Sequence, residues 1–406
     1  MPKRKGRREP FLFGDCEDIM RYYKCFDTIS EKGLAGFGGH YEETGMEDAE
    51  AVLLRSHVLA EEDLGSDLKI IARAGAGVNN IPLKACSERG IVCVNTPGAN
   101  ANGVKELVIA GMLLASRDIV GGIEWIERQE DMSDIQRRAE KKKHQFAGTE
   151  ISGKKLGIIG LGAIGVLVAN AGVALGMDVY GYDPYISVNA AWNVSRSIHH
   201  SRDLYEILHE CDYITLHVPP TEETIGMINK KTLSQMKNGV VLLNFARDVL
   251  VNEEDVIEAL ESGKIRKYVT DFATPAIVKA VNTLVTPHLG ASTEESEENC
   301  AIMAVQEIRE FIENGNIRNG VNYPSCDLGK CQSAGRVTIC HRNTPNTIAQ
   351  FTTRIGELGI NIADFANRSK GEYAYTIIDI GASPSASLIR GLWDIDGVLK
   401  VRVIQN

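Results

Sequence analysis

The chain has 406 residues, which at about 150 residues per domain is enough for two or three domains. Hydrophobic residues make up 44% of it and charged residues 24%, an ordinary globular mixture that argues against wholesale disorder. The net charge of −10 argues against a nucleic-acid-binding protein, and no apolar run approaches the roughly 18 residues of a membrane span. The basic residues 1–9 do not lead into an apolar stretch, so we interpret them as a solvated tail and not as a signal peptide.

The nine cysteines are scattered along the chain and form no C-x-x-C pair. An odd number of such cysteines in a long chain favours reduced thiols and a cytoplasmic location. Cys326 and Cys331 lie close together, but only Cys340 and His341 follow as further ligands, so no metal site is predicted.

The strongest local pattern begins at residue 154. A predicted strand over 154–159 is followed by G-L-G-A-I-G at 160–165, a helical stretch over 166–175 and a second strand over 178–183. Asp183 ends this second strand, 18 residues after the last glycine (183 − 165 = 18). A glycine triplet with these neighbours predicts a dinucleotide-binding site.

Each feature of this pattern has a physical role in binding a dinucleotide. Gly160 permits a tight turn, Gly162 lets the backbone approach a pyrophosphate, and Gly165 lets the helix pack on the strand. The free N–H groups of the helix N-terminus attract the anion. Asp183 can accept hydrogen bonds from a ribose diol and would repel a 2′-phosphate, which favours NAD over NADP.

Repeated strand–helix units flank this pattern and imply a mostly parallel sheet. The units after it have predicted strands over 211–218, 239–244 and 268–271. An earlier α/β unit, without a phosphate fingerprint, has predicted strands over 49–55, 68–72 and 91–95. The helical pattern over 105–116 could connect the two units.

The last part of the chain has a different pattern. Residues 323–334 contain Pro, Ser, Asp and Gly and predict a linker. After it, the alternation of strand-like and helix-like stretches gives the order βαββαβ, which predicts a ferredoxin-like domain. Its small size favours a binding or regulatory module. The stretches are 336–340, 347–358, 360–368, 373–380, 386–393 and 398–404.

Several motifs together resemble the D-isomer-specific 2-hydroxyacid dehydrogenases over residues ~10 to 324, and in particular the members that act on 3-phosphoglycerate. Residues 336–406 resemble an ACT domain, with H-R-N-T-P at 341–345 and G-I-N-I at 359–362. The dehydrogenase motifs are R-A-G-A-G-V-N-N-I at 73–81, N-T-P-G-A-N at 95–100, the glycine fingerprint, N-F-A-R-D at 244–248 and P-H-L-G-A-S-T at 287–293.

The resemblance implies an α/β fold in which one domain interrupts another. A Rossmann-type NAD domain (104–284) would be inserted into a flavodoxin-like α/β substrate domain (1–103 and 285–325). A linker (326–335) would lead to a βαββαβ ferredoxin-like ACT domain (336–406). NAD would be the cofactor, 3-phosphoglycerate the substrate and L-serine an effector. A homotetramer is expected.

The resemblance also assigns expected roles to individual residues. Arg247 would hold the substrate carboxylate, and His288 would be the catalytic acid/base, a role that suits an imidazole near neutral pH. The net negative charge cannot attract an anionic substrate, so local cations such as Arg55 must do so. The remaining expected residues are, for the cofactor, Gly160, Gly162, Ala163, Ile164, Gly165, Asp183, Phe245, Ala246, Asp271, Gly290 and Ala291; for the substrate, Arg55, Ser56, Gly77, Val78, Asn79 and Asn100; and for serine, His341, Asn343 and Asn361.

The sequence departs from the family pattern beside the catalytic histidine. Family members pair this histidine with a glutamate that follows the aspartate equivalent to Asp271, but here D-F-A-T-P-A occupies 271–276. The interval between Arg247 and His288 is also short for the family. Either another acid, such as Glu294 or Glu295, takes the place of this glutamate, or His288 works alone.

Two other functions remain open at this point. The first is another 2-hydroxyacid dehydrogenase, acting on glyoxylate or hydroxypyruvate. The second is an NAD-sensing, corepressor-like binding protein of the same fold, which the missing glutamate favours. The ACT-like region and Arg55-Ser56 argue against the first of these.

Overall fold

The computed structural model describes residues 20–404, except for the side chain of Asn189, so the basic tail predicted at residues 1–9 lies outside it. The described chain divides into two compact units. One comprises Asn100–Ser296, and the other comprises the residues up to Ala99 together with those from Glu297 onward. No helix between residues 20 and 404 combines the length and the apolar character that a bilayer crossing requires.

The strands and helices follow one another in the order expected for α/β units. The strands are β1 (Arg21–Cys25), β2 (Tyr41–Glu43), β3 (Ala51–Leu54), β4 (Ile70–Arg73), β5 (Val92–Asn95), β6 (Lys155–Ile159), β7 (Asp178–Tyr182), β8 (His199–His200), β9 (Tyr213–Leu216), β10 (Val240–Asn244), β11 (Ile265–Thr270), β12 (Thr283–Val285), β13 (Gly335–Arg342), β14 (Ile362–Lys370), β15 (Tyr373–Ile380) and β16 (Val398–Ile404). The α-helices are α1 (Glu31–Leu34), α2 (Leu83–Glu88), α3 (Ala101–Ser116), α4 (Ile119–Glu127), α5 (Ile135–Lys142), α6 (Ala163–Ala174), α7 (Val188–Asn193), α8 (Leu204–Glu210), α9 (Lys230–Gln235), α10 (Glu253–Glu261), α11 (Pro275–Lys279), α12 (Glu294–Asn314), α13 (Thr347–Glu357) and α14 (Ala386–Trp393).

The unit Asn100–Ser296 is built on a seven-stranded parallel sheet with the order β12-β11-β10-β9-β6-β7-β8. The order reverses on either side of β6, which is the doubly wound Rossmann arrangement. Successive residues of β10 are buried on opposite faces of the sheet, because helices cover both faces. Ligands in such sheets bind at the carboxyl ends of the strands, close to the point where the order reverses.

The other unit begins with a five-stranded parallel sheet of order β2-β1-β3-β4-β5. This is the flavodoxin-like order. One of its faces packs on the buried side of α12, where Ala304, Ile308 and Phe311 contribute to the core. Together with the Rossmann-type sheet, this arrangement confirms the predicted α/β fold class.

The C-terminal sheet is antiparallel with the order β14-β15-β13-β16, as predicted from the βαββαβ pattern. One face carries α13 and α14, and the opposite face packs on α12. Carbonyl groups at and just after the C-terminal end of α12 accept hydrogen bonds from side chains of this sheet. Arg402 donates to the carbonyls of Phe311 and Ile312, and Tyr375 donates to that of Gly315.

The segment predicted as a linker is packed and not extended through solvent. Tyr323 and Cys326 are buried in the core that α12 shares with the C-terminal sheet. The hydroxyl of Tyr323 donates to the carbonyl of Ser87 at 2.7 Å, and Ile317 and Cys326 exchange backbone hydrogen bonds. The segment has a composition typical of turns, but tertiary contacts hold it in the core and against α2.

Candidate active site

The glycine loop after β6 has the conformation that its sequence predicts. Gly160 has a φ of +96°, and a Cβ atom there would lie 2.5 Å from the carbonyl oxygen of His217. A Cβ atom on Gly165 would lie 1.9 Å from the carbonyl oxygen of Gly160. Larger residues therefore cannot replace either glycine without moving the backbone. The close approach of loop, helix and strand depends on these two positions.

Asp183, at the carboxyl end of β7, closes this loop. Its carboxylate accepts hydrogen bonds from the backbone N–H groups of Leu161 and Tyr185, both at 2.8 Å. The side chain is half-buried, so its remaining lone pairs are open to a ligand. Asp183 therefore fixes the loop, and its carboxylate keeps acceptor capacity for a ligand.

The residues around the loop fit a dinucleotide. A Cβ atom on Gly162 would meet no atom within 4 Å, so the backbone next to the N-terminus of α6 is open to an approaching group. Ala163 and Ile164 form the first turn of this twelve-residue helix, and the free N–H groups of such a turn attract a pyrophosphate. The pattern predicted from sequence is thus present as an anion cradle.

Asp271 follows β11 and is buried, with only 2% of its surface exposed. One carboxylate oxygen accepts the N–H of Gly290 at 3.0 Å, whereas the other is buried without a hydrogen-bond partner. Burial raises the pKa of Asp271, and the hydrogen bond from Gly290 and the nearby His288 partly oppose this shift. A buried acceptor without a partner is costly, and a donor such as a nicotinamide carboxamide would satisfy it.

Arg247 lies in the loop after β10. The side chain of Asn244 shapes this loop by donating to the carbonyl of Arg247 at 2.8 Å and accepting from the N–H of Ala246 at 3.2 Å. Arg247 is half-buried, and between residues 20 and 404 no carboxylate forms an ion pair with it. The side chain of Phe245 is buried in the core, so only the backbone at this predicted cofactor position can face a ligand.

His288 follows β12 and is exposed. Its ring meets the ring of Phe272 edge-to-face, with 5.0 Å between the centroids. Glu294 and Glu295 are exposed, and no acid in residues 20–404 forms an ion pair with this imidazole. The structure therefore places neither of these glutamates in the position of the missing family carboxylate. Asp271 is the acid whose charge interacts with His288.

Three predicted residues thus occupy equivalent places on neighbouring strands. β10, β11 and β12 are adjacent and parallel, and Arg247, Asp271 and His288 follow their carboxyl ends in that order. Since this edge also carries the glycine loop after β6, the unit Asn100–Ser296 gathers the cofactor and catalytic candidates on one edge of its sheet. Ala291 and Asn100 are half-buried in the same unit.

His217 was missed by the sequence analysis. It follows β9, and its Nε2 atom lies 3.0 Å from the hydroxyl of Thr215, while Nδ1 is buried without a partner. Burial lowers the pKa of His217 to about 3, so the ring is neutral. The only signal in the sequence is a histidine directly after a buried strand and before two prolines.

The other unit holds the predicted substrate residues at the carboxyl ends of β3 and β4. A carboxylate oxygen of Asp27 accepts the backbone N–H groups of Arg55, Ser56 and His57 at 2.9, 2.9 and 3.0 Å. Burial opposes ionisation of Asp27, but these three hydrogen bonds lower its pKa below the usual value. Arg55 forms an ion pair with Glu297 of α12, with 2.7 Å between the nitrogen and oxygen atoms.

A second arginine in this region was also missed. The Nε atom of Arg73 donates to the carbonyl of Arg55 at 3.0 Å. A Cβ atom on Gly75 would lie 2.6 Å from the Arg73 guanidinium, and one on Gly77 would lie 3.4 Å from it, so this group covers the glycine-rich loop. Val78 is half-buried and Asn79 exposed. This part of the described chain thus brings two arginines, Arg55 and Arg73, close to the acids Asp27 and Glu297.

The predicted effector residues lie in the C-terminal sheet, but not together. The imidazole of His341 is buried under α13, 2.9 Å from the hydroxyl of Thr376 and 2.8 Å from the carbonyl of Arg342. Asn343 is exposed and donates to the carbonyl of Gly371 at 3.2 Å. Asn361 lies at the opposite end of the sheet, next to Gly381.

A Rossmann-type sheet with a glycine cradle and an unsatisfied buried aspartate defines an NAD-binding domain. Residues 109–290 match the family model described as "D-isomer specific 2-hydroxyacid dehydrogenase, NAD binding domain". This part of the chain is therefore an NAD-binding domain of that type, and NAD is its cofactor.

Several similar proteins share one name. A protein of Archaeoglobus fulgidus named D-3-phosphoglycerate dehydrogenase is 38% identical over 288 residues, covering 68% of this chain and 52% of that protein. A protein of Haemophilus influenzae with the same name, D-3-phosphoglycerate dehydrogenase, is 29% identical over 362 residues, covering 86% of this chain and 85% of that protein. This chain spans about half the length of the Archaeoglobus relative and of several others.

Solved structures extend the comparison. The NAD⁺-bound 3-phosphoglycerate dehydrogenase of Entamoeba histolytica is 28% identical, with a TM-score of 0.58 over 74% of this chain and 98% of that one. The D-mandelate dehydrogenase of Rhodotorula graminis has a TM-score of 0.63 over the same shares but only 21% identity. The second likeness concerns the fold alone.

Proposed function

We propose that the chain is an NAD-dependent dehydrogenase that oxidises D-3-phosphoglycerate to 3-phosphohydroxypyruvate. The observation that carries this proposal is the placement of Arg247, Asp271 and His288 at the carboxyl ends of three neighbouring strands, on the edge that holds the glycine loop. The similarity to proteins named D-3-phosphoglycerate dehydrogenase supports the choice of substrate.

The proposed roles follow from the charge and position of each side chain. NAD, when bound, accepts a hydride from C2 of the substrate. Arg247 has no acidic partner in the described chain, so its guanidinium is available for the substrate carboxylate. His288 is exposed and takes the proton of the C2 hydroxyl onto its imidazole. Asp271 holds the loop of Gly290 and offers its second oxygen to the carboxamide of NAD.

The phosphorylated end of the substrate requires cations. 3-Phosphoglycerate carries roughly three negative charges near neutral pH, since the second pKa of a phosphate ester is about 6. The protein itself has a net charge of −10 and cannot attract such an anion over long distances. Arg55 and Arg73 supply local positive charge beside the loop that contains Gly77 and Asn79. We assign these residues and Ser56 to substrate binding.

Formation of NADH from 3-phosphoglycerate, followed by absorbance, tests this proposal. We expect turnover in the wild type and a large loss in an Arg247→Ala variant that still binds NADH. Reduction of hydroxypyruvate or glyoxylate in preference to 3-phosphohydroxypyruvate would identify another 2-hydroxyacid dehydrogenase. Tight NADH binding without turnover of any of these acids would instead favour a cofactor-sensing protein.

Each domain can be assigned one part of the proposed function. We assign NAD binding to residues 104–284, substrate binding to 1–103 and 285–325, and a regulatory ACT role to 336–406. The packed segment 326–335 connects the last two.

Serine binding by the C-terminal domain would require two copies of the chain. In the antiparallel register Gly335 faces Ile380 and His341 faces Ala374, so the two ends of β13 are roughly 20 Å apart at 3.3 Å per residue. Asn361 lies at the first end and Asn343 at the second, which is too far for one amino acid. The edge strand β14 and the exposed apolar residues of α4 (Ile119, Val120, Ile123 and Ile126) offer surfaces for an oligomer, which we propose is a tetramer.

The serine proposal is tested by measuring activity and molecular mass together. We expect L-serine to lower activity in an oligomer and to have no effect on an Asn361→Ala variant of the same mass. Unchanged activity at millimolar serine, with no heat of binding, would assign the domain to assembly or to another ligand.

A further inference from the structure

The ion pair between Arg55 and Glu297 joins two separate elements of one unit. Arg55 follows β3, whereas Glu297 lies in the first turns of α12, with 2.7 Å between the charged atoms. The side chains keep 34% and 43% of their surface exposed. If Arg55 binds the anionic substrate, as the proposed function requires, this carboxylate already occupies part of its guanidinium.

Glu297 is not needed to hold the main chain of Arg55 in place. Asp27 accepts the N–H of Arg55, and the carbonyl of Arg55 accepts hydrogen bonds from Arg73 and Asn80 at 3.0 and 3.2 Å. The backbone at residue 55 is therefore fixed on both sides by groups other than α12. The contribution of Glu297 is confined to the guanidinium and its charge.

A half-exposed ion pair can be exchanged for another partner. A pair of this kind contributes at most about five-fold to an equilibrium constant. A phosphate or carboxylate of the substrate offers Arg55 the same bidentate contact with equal or greater charge. Because Glu297 is exposed, water can solvate its carboxylate once the pair separates.

We propose that Glu297 is a resident competitor for Arg55, which pairs with the guanidinium in the absence of substrate and is displaced by the substrate's anionic group. Glu297 thereby lowers the affinity of the site for anions. An anion binds to Arg55 only if its contact with the guanidinium is stronger than that of Glu297. This inference rests on the proposed role of Arg55, and it makes Glu297 a residue that determines affinity and not a catalytic residue.

The matched control is the next residue on the helix. Glu298 is also an acid of α12, and its carboxylate pairs with Lys32 at 2.7 Å instead of with Arg55. Glu298→Gln therefore changes the net charge by the same amount and removes one ion pair, but leaves Arg55 paired. If Glu297→Gln changes anion binding and Glu298→Gln does not, the change is due to the loss of the ion pair with Arg55.

The experiment is calorimetric titration of the NADH-loaded full chain with inorganic phosphate and with 3-phosphoglycerate. We expect Glu297→Gln to tighten binding of both anions by roughly three- to five-fold, because the carboxylate that competes for the Arg55 guanidinium is lost. Glu298→Gln should leave binding within two-fold of the wild type. In an Arg55→Ala background, Glu297→Gln should have no further effect.

Unchanged or weaker anion binding in Glu297→Gln would overturn the inference, as would a gain that persists without Arg55. Because phosphate binding requires no turnover, this result is separable from the proposed function. The wild type could fail to oxidise 3-phosphoglycerate while the two variants still show the expected pattern with phosphate. This result would reject the proposed substrate but support the role of Glu297 as a competitor for Arg55.

Discussion

Replacement of Asp183 with alanine is the most direct test of how the cofactor is held. The change removes a carboxylate that accepts the N–H groups of Leu161 and Tyr185 and that we place beside the ribose diol. The glycine loop keeps Gly160 and Gly165, whose close contacts do not involve Asp183. We therefore expect the fold to persist and the affinity for NAD to fall.

The magnitude follows from the hydrogen bonds that are lost. A hydrogen bond to a charged group contributes about 1.5–3 kcal/mol, and a ribose diol can donate two. Because Asp183 is half-buried, solvent reduces this sum, and about 2–4 kcal/mol is a reasonable net loss. At about 1.4 kcal/mol per factor of ten, NAD should bind roughly 30- to 1000-fold more weakly.

NADP should respond differently. Its 2′-phosphate faces the charge of Asp183 in the wild type, and each pair of like charges about 4 Å apart costs about 1 kcal/mol in a water-like environment. Removing Asp183 relieves this repulsion while also removing hydrogen bonds to the ribose, so NADP affinity should change little. The preference for NAD over NADP should thus fall by about the factor lost in NAD binding.

Calorimetric dissociation constants for NADH and NADPH measure both effects. Asp178→Ala is the matched control, because Asp178 begins the same strand, β7, at the end away from the glycine loop and pairs with the exposed His199 at 2.8 Å. That variant should bind both cofactors as the wild type does. Equal affinity of the wild type for NADH and NADPH, or undiminished NADH binding in Asp183→Ala, would refute the reasoning.

Three further predictions concern proton transfer, pH dependence and stability. His288→Ala should lower turnover by on the order of 10²-fold or more with NADH affinity unchanged, and near-normal turnover would reject the role of His288. Burial raises the pKa of Glu307 to about 8 from an ordinary 4.5, so stability should fall as the pH rises between these values. Glu307→Gln should flatten this fall in thermal melts, and an unchanged slope would contradict the assignment. Arg336 is fully buried and bonds both oxygens of Asp379 at 2.6 and 2.9 Å, so Arg336→Met should cost about 3–5 kcal/mol in denaturant unfolding, whereas Arg354→Met on the exposed face of α13 should cost less than about 1 kcal/mol.

The cofactor loop could be predicted from sequence because its constraints are local. Gly160, Gly165 and Asp183 lie within 24 consecutive residues, counted from 160 to 183, and the strand and helix between them have clear periodicities. The steric limits at the two glycines depend little on distant parts of the chain. The same holds for the position of the Asp183 carboxylate at the end of its strand. The βαββαβ order of the C-terminal region was predictable for the same reason.

Other features depend on residues that are distant in sequence. The partner of Arg55 is 242 positions away (297 − 55 = 242), on a helix whose relation to β3 no local pattern gives. Likewise, the burial of His341 under α13 and the hydrogen bond from Tyr323 to Ser87 of α2 join segments that no local pattern relates.

The sequence by itself determined the class of each sheet and the cofactor fingerprint, because hydrophobic periodicity, glycine sterics and motif spacing are properties of short segments. The candidate catalytic residues came from the resemblance of several motifs to a known family. Only the tertiary structure decided which of the charges are paired. Within residues 20–404, it gave Arg55 an acidic partner and Arg247 none, and it buried one oxygen of Asp271 without a donor. The physical reason is that desolvation and ion pairing depend on atoms brought together from separate strands and helices. The sequence of a short segment does not show which of these atoms will meet.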